Sequence, residues 1–314
     1  MKRDLRRLAD LGRGDIEWIL RTSAALKRER GNVRAPKPLE GRSLGMIFTK
    51  PSTRTRVSFE VGMVQLGGHA VILSGDQIQM SRGETLADSA RIFSRYLDCL
   101  AIRTFHQKDV EELAGVAAIP VINALTDMFH PCQALADLFT IQEKLGSLEG
   151  VKVAYVGDGN NVANSWLEAA GVMGLRLSIA SPPGYEPDGQ TIAEARRMAE
   201  SSGAVIEISN DLEEAARNAD VVYTDTWVSM GQDNETEKRL RDFNGWRVDA
   251  KLMALAAKDA IVMHCLPAHR GEEISAQVLD GAQSVVWDQA ENRLHTQKAV
   301  LILLMSPTAR TIYP

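Results

Sequence analysis

The chain has 314 residues, 45% hydrophobic and 25% charged, with 36 Lys and Arg against 41 Asp and Glu for a formal net charge of -5. That length exceeds one ordinary core and suits two domains, and the composition is that of a soluble globular enzyme, not a disordered or fibrous chain. The acidic balance argues against a general nucleic-acid binder, which needs a basic surplus, but a few focused arginines could still hold a small anion.

No apolar run approaches the roughly 20 residues of a membrane-spanning helix. The basic N-terminus, Met1 to Arg21, is interrupted by Asp4, Asp10, Asp15 and Glu17 and reads as a surface helix, not a transit peptide. Apolar spacing predicts a helix over Ile16 to Lys27, followed by a proline-bearing loop from Asn32 to Arg42. Strands are predicted at Gly45 to Thr49, Ala70 to Leu73, Cys99 to Arg103 and Val121 to Asn123. Helices are predicted at Val57 to Leu66, Thr85 to Arg95, Val110 to Ala114 and Pro131 to Lys144. Such alternation implies right-handed crossovers and a mostly parallel sheet covered on both faces.

A second alternating series begins after Gly146 to Gly150. Its strands are Val151 to Val156, Arg176 to Ala180, Ala204 to Ile208, Val221 to Thr224, Ala260 to Met263 and Ser284 to Trp287. Its helices are Ala163 to Gly171, Ile192 to Ser201 and Leu212 to Asn218, with a last helix from about Ala290 to Met305. The expected fold class is α/β: two doubly wound parallel-sheet domains, 1–147 and 148–289, with residues 290–314 forming a C-terminal helix that packs back on the first. Ligands then belong in crevices at the carboxyl ends of the strands. Cys99, Cys132 and Cys265 are odd in number and widely spaced, as expected for reduced thiols of a cytoplasmic protein.

The strongest local signal is Ser52-Thr53-Arg54-Thr55-Arg56, between a strand and a helix. Free backbone N–H groups and the helix dipole favour an anion there, and guanidiniums can grip phosphate oxygens in a forked geometry. A lone Ser or Arg at such a turn is more often an N-cap with solvated neighbours, but this density of donors favours an anion site. Arg103 and His130-Pro131-Cys132-Gln133 lie at later strand ends. There Arg and His could polarise a carbonyl oxygen as it becomes an oxyanion, while Gln133 could orient an amide.

These motifs, with Asp225, Ser229-Met230-Gly231 and His264-Cys265-Leu266-Pro267, resemble the aspartate/ornithine carbamoyltransferase family along essentially the whole chain. The resemblance implies carbamoyl transfer from carbamoyl phosphate to the side-chain amine of L-ornithine, within arginine metabolism, with no cofactor and no metal. It places Ser52, Thr53, Arg54 and Thr55 on the phosphate. Arg103, His130 and Thr55 would take the carbamoyl oxygen, with Arg103 also reaching the phosphate, and Gln133 and the backbone at Cys265 and Leu266 the amide. Arg293 matches a further arginine near carbamoyl phosphate, and Gln79 a residue contributed by a neighbouring subunit of the family's trimer. One departure is Lys50-Pro51 where ornithine enzymes often carry a basic residue directly before the serine; proline removes that charge.

On the acceptor side, Asp225 could pair with an α-ammonium and Asn161 could donate to an α-carboxylate, with Ser229 and Met230 in the loop beyond. The site must take ornithine's amine neutral, although a lysine-like amine has a pKa of about 10.4 in water. Arg54, Arg103, His130 and Cys265 are the candidate catalytic residues. A covalent role for Cys265 would need an activating base that the neighbouring His264 is poorly placed to supply. A zinc site from His264, Cys265 and His269 lacks a convincing fourth ligand.

Gly157-Asp158-Gly159 after a strand suggests a dinucleotide-binding dehydrogenase, but Val162 replaces the third glycine and no ribose-binding acid follows Arg176 to Ala180. A non-catalytic chain of this fold would be expected to lose Arg103, His130 or the first motif, and none is lost. N-acetylornithine, putrescine and aspartate are the alternative acceptors. Asp225 with the Ser229 loop favours a free α-amine, hence ornithine.

Overall fold

The computed structural model describes residues 2–50, 52–74, 83–229 and 231–313, which form two compact units. Unit 1 comprises Met1–Phe139 and Asn292–Pro314, and unit 2 comprises Thr140–Glu291.

In unit 1 the elements run α1 (Arg13–Arg28), β1 (Ser43–Phe48), α2 (Thr53–Gln65), β2 (His69–Ser74), α3 (Leu86–Tyr96), β3 (Cys99–Arg103), α4 (Gln107–Val116), β4 (Val121–Leu125) and α5 (Pro131–Leu145). The strands pair in parallel in the order β2-β1-β3-β4. All five residues of β3 are buried, as expected where helices cover both faces of a parallel sheet. One face packs Ile47, Leu100, Ile102 and Val121 against Ala90, Val110 and Leu113 of α3 and α4.

Unit 2 continues with β5 (Lys152–Val156), α6 (Asn161–Met173), β6 (Arg176–Ala180), α7 (Gly189–Ser202), β7 (Val205–Ser209), α8 (Leu212–Ala216), β8 (Val221–Thr224), α9 (Thr236–Asp242), α10 (Ala250–Met253), β9 (Ile261–His264) and α11 (Ala276–Leu279). Its parallel sheet has the order β7-β6-β5-β8-β9. Ala154, Val156, Val222 and Val262 bury one face against Ala216 of α8, Leu252 of α10 and Val278 of α11. The chain ends in α12 (Val286–Met305), in which the division between units falls, and α13 (Ala309–Ile312).

The expected two doubly wound sheets are present. Each has a switch point where the chain leaves one strand to both sides: between β1 and β3 in the first sheet, between β5 and β8 in the second. Adjacent crossovers diverge at such a point and open a crevice beyond the strand ends.

Three expectations fail locally. The basic N-terminal segment is not one surface helix: Leu5 bridges Ile122 in parallel, Leu5 and Leu8 are buried, and α1 begins only at Arg13. Ser284 to Trp287 is not a strand: Ser284 makes one isolated parallel bridge to Val262, and Val286 opens α12. A short β-branched run reads alike in a strand and in the first turn of a buried helix, and here Val286 packs into the core. The helix predicted from Val57 starts at Thr53, so Thr53 to Arg56 form its first turn. Among the described residues, no helix is long and apolar enough to cross a membrane.

Candidate active site

The unit 1 site is built at the β1/β3 switch point. Ser52 occupies the N-cap position of α2 in an extended conformation, and its hydroxyl makes no capping bond. Thr53 and Arg54 in the first turn are exposed. Thr55 is buried and accepts a hydrogen bond from Arg293 Nη2 at 3.2 Å. Arg103 ends β3 opposite Phe48 of β1, where the pairing with β4 slips by one residue. Its carbonyl accepts from the Thr49 N–H and hydroxyl at 3.0 and 3.2 Å, which ties the end of β1 to Arg103.

His130 stands before α5, with its carbonyl accepting from the Gln133 and Ala134 N–H groups. The preceding loop is closed by Thr126 and Phe129, whose N–H groups donate to the Phe129 carbonyl and the Thr126 hydroxyl, respectively. Gln133 is held at both ends of its amide: Oε1 accepts from Arg293 Nη1 at 2.7 Å and Nε2 donates to Asp137 at 2.8 Å. Arg103, His130, Gln133 and Arg293 are each at most 7% exposed. Burial, then the charges of Arg293, Arg103 and Arg54, hold the His130 imidazole well below its ordinary pKa, so it is neutral near pH 7. A neutral imidazole among three guanidiniums can donate to a developing oxyanion without adding to their mutual repulsion.

Lys50 revises the charge thought lost at Pro51. The Lys50 side chain is buried, its ammonium lies 3.8 Å from the Phe105 ring centre, and burial together with Arg103 lowers its pKa. The motif therefore has a cation close to Arg103, partly stabilised by an aromatic face.

The unit 2 site gathers at the β5/β8 switch point around Asp225, which follows β8 and is 6% exposed. Asp225 Oδ1 accepts from the Thr226 N–H at 2.8 Å and the Cys265 thiol at 2.9 Å; Oδ2 accepts from Asn160 Nδ2 at 2.7 Å. Asn160 is a site residue that the sequence reading missed. Its Oδ1 caps α6 by accepting from Val162 and Ala163, which turns its amide nitrogen to Asp225. The ordinary N-cap preference for Asn would have singled it out. Asn161 is the first residue of α6, and Ser229 lies four residues beyond Asp225 in a turn closed by Gln232. Gln79 and Met230 lie outside the described residues.

His264 is committed elsewhere. Its Nδ1 accepts from the Leu266 N–H at 2.9 Å, so Nε2 carries the proton and donates to buried Glu273 at 3.0 Å. The Asp225, His264 and Cys265 ligand atoms lie within 4.8 Å of one another. Both His264 nitrogens are nonetheless occupied, so it offers neither a metal ligand nor a base for Cys265. It instead holds Leu266 at a positive φ of 59°. Gln289 at the start of α12 accepts from the His264 N–H and donates to the Tyr223 hydroxyl, a third contact that sequence spacing did not reveal.

Comparison with known proteins also divides the chain in two, with the second match running past Glu291 into the helix that the structure assigns in part to unit 1. Residues 3–143 match the family model described as the aspartate/ornithine carbamoyltransferase carbamoyl-P binding domain, and residues 149–304 the Asp/Orn binding domain. A protein of Syntrophus aciditrophicus named ornithine carbamoyltransferase is 55% identical over 305 residues, covering 97% of this chain and all of its own. One of Pyrococcus furiosus, named ornithine carbamoyltransferase, anabolic, is 52% identical over 303 residues and 96% of each chain. A solved ornithine carbamoyltransferase structure from Pyrococcus furiosus superposes with a TM-score of 0.93 at 51% identity, covering 98% of each chain.

Proposed function

Because this chain belongs to the aspartate/ornithine carbamoyltransferase family, we propose that it transfers the carbamoyl group of carbamoyl phosphate to the side-chain amine of L-ornithine, giving L-citrulline and phosphate. The observation that carries this reading is the contrast in charge: arginines around a neutral imidazole in unit 1, a buried carboxylate held by hydrogen bonds in unit 2. The first suits a dianionic acyl phosphate, the second an α-ammonium.

Ser52, Thr53, Arg54 and Thr55 bind the phosphate, aided by the first turn of α2. Arg103 and His130 donate to the carbamoyl oxygen, with Arg293 fixing Thr55 and Gln133. The neutral amine attacks the carbamoyl carbon, and the oxygen takes negative charge against Arg103 and His130. The carbon–oxygen bond to phosphate then breaks, and the departing phosphate takes the proton the amine sheds and leaves as the hydrogen phosphate dianion. Positioning and oxyanion stabilisation supply most of the acceleration, and no separate base is needed. Asp225 and Asn161 hold the α-ammonium and α-carboxylate, with Ser229 and Met230 beside them. The relative named anabolic supports use in arginine synthesis.

We place the enzyme in the cytoplasm as a homotrimer. Cys99, Cys132 and Cys265, all thiols and not disulfide-bonded, support the first. The apolar stripe Val57, Val61 and Val64 on α2, with Ile92 and Tyr96 on α3, supports the second, since these are exposed in the single chain, Tyr96 by 75%. Parallel assays for citrulline, N-acetylcitrulline and carbamoylaspartate test the acceptor. Citrulline alone is expected, and either other product in its place overturns the assignment.

A further inference from the structure

Arg239 has no part in the substrate contacts above, yet it is only 7% exposed. It lies on α9, outside every motif described. Its Nη1 reaches Asp158 Oδ2 and the Trp227 carbonyl, each at 3.0 Å, and its Nε donates to Glu235 at 2.9 Å. The same guanidinium lies 5.1 Å from the Tyr185 ring centre.

Each partner leads to the acceptor site. Trp227 stands midway between Asp225 and Ser229, so fixing its carbonyl fixes the path of that segment. Asp158 belongs to the turn after β5 that also carries Asn160, the donor to Asp225. This turn has little room to move, since a Cβ on Gly159 would lie 2.2 Å from Pro187 N. The Trp227 ring stacks on Phe243 at 5.6 Å, Phe243 meets Tyr185 edge-on at 4.7 Å, and the Tyr185 hydroxyl donates to Asp242 at 2.7 Å. One buried cation thus joins the turn after β5, the segment after β8 and α9. Removing either member of a buried ion pair leaves an uncompensated charge, which is relieved by protonation or by movement of the segment, and either one breaks the link.

We propose that Arg239 is a positioning residue for the amino-acid substrate, clamping the Asp225–Ser229 segment through Asp158 and the Trp227 carbonyl in the conformation that grips the acceptor. This rests on the reading of that segment as the acceptor site. Asp158 faces Arg239, Asp225 and Glu235; burial pushes its carboxyl up to about 6 against the pull of Arg239, with Asp225 and Glu235 adding to the rise. The clamp therefore loosens in mild acid, as Asp158 takes up a proton.

The test uses full-length R239Q, D158N and the double variant. Each single change is expected to raise the ornithine KM about tenfold while the carbamoyl phosphate KM stays within about twofold, and the double variant is expected to add little more. In D158N the ornithine KM loses its rise below pH 6. Hydrogen exchange without substrate gives a second reading: peptides covering 226–229 and 231–243 should exchange at least about tenfold faster in both single variants, and peptides from α2 should be unchanged. An unchanged ornithine KM, or a matching rise in both KM values, overturns the clamp. Wild-type citrulline formation judges the acceptor reading separately. If none forms, faster exchange still supports the clamp on the segment, and unchanged exchange overturns it.

Discussion

The two sites occupy the same place in two similar sheets, a topological switch point, yet they are built in opposite ways. Unit 1 concentrates cations: Arg54, Arg103 and Arg293 converge on a His130 that burial, and then their charges, keep neutral. Unit 2 centres on a buried carboxylate, Asp225, and surrounds it with donors from Thr226, Asn160 and Cys265. Repelling cations must be held apart by the fold, through the β3 end, the α5 start and α12, and they bind tightly once an anion arrives. A single carboxylate needs only hydrogen bonds from its own neighbourhood, so its geometry depends on a local segment being held still. The contrast predicts different failures: loss of chemistry in unit 1, loss of acceptor affinity in unit 2.

The largest effect should follow from breaking the cation cluster. Arg103→Ala is expected to lower kcat about 1000-fold, comparable to losing an oxyanion donor together with a phosphate contact, with the melting temperature little changed. Steady-state kinetics on purified protein measure it. A variant within about tenfold of wild type would remove Arg103 from the chemistry. Next, Asp225→Asn should lower kcat/KM for ornithine about 100-fold, a loss of about 2.7 kcal/mol, while calorimetry finds carbamoyl phosphate bound as before. Equal loss for both substrates would dissolve the division of labour.

A third test concerns the neutral imidazole. His130 has a folded-state pKa well below its unfolded value of about 6.5, so below pH 6.5 the unfolded chain binds the extra proton. Stability is therefore full above that pH and lost as pH falls, by up to about 1.4 kcal/mol per pH unit for one proton. Subtracting the melting curves of His130→Gln from wild type between pH 4.5 and 7.5 isolates this slope from the opposing contribution of Asp158. A fourth test lies outside the contacts of both sites. Lys298, 3% exposed and bonded to Gln65, has its pKa lowered to about 8 from 10.5. Between those values the unfolded chain holds more protons, so stability should rise with pH across the window. That rise should vanish in Lys298→Met, as thermal melts at pH 8 and 10 can check.

Much of this was legible in the residues alone. Apolar runs spaced at two periods mark nearly every strand and long helix, because burying one face of an element leaves its signature within ten or so neighbouring positions. Ser52 to Arg56, Arg103, His130 and Asp225 stand at strand ends in that pattern, so an anion-binding turn could be read from local position, whereas the carbamoyl and acceptor roles were implied by the family resemblance. Tertiary structure alone decided which strand ends share a crevice. The orders β2-β1-β3-β4 and β7-β6-β5-β8-β9 arise from pairings between distant segments. The same holds for Asn160 on Asp225, 65 residues apart, Arg293 on Gln133, 160 apart, and Gln289 on His264, 25 apart. It also holds for Arg239 on Asp158 and for Val286, strand-like in sequence but helical in the fold. Local periodicity reports that a face is buried, whereas the identity of what buries it is set by packing, to which distant residues contribute together.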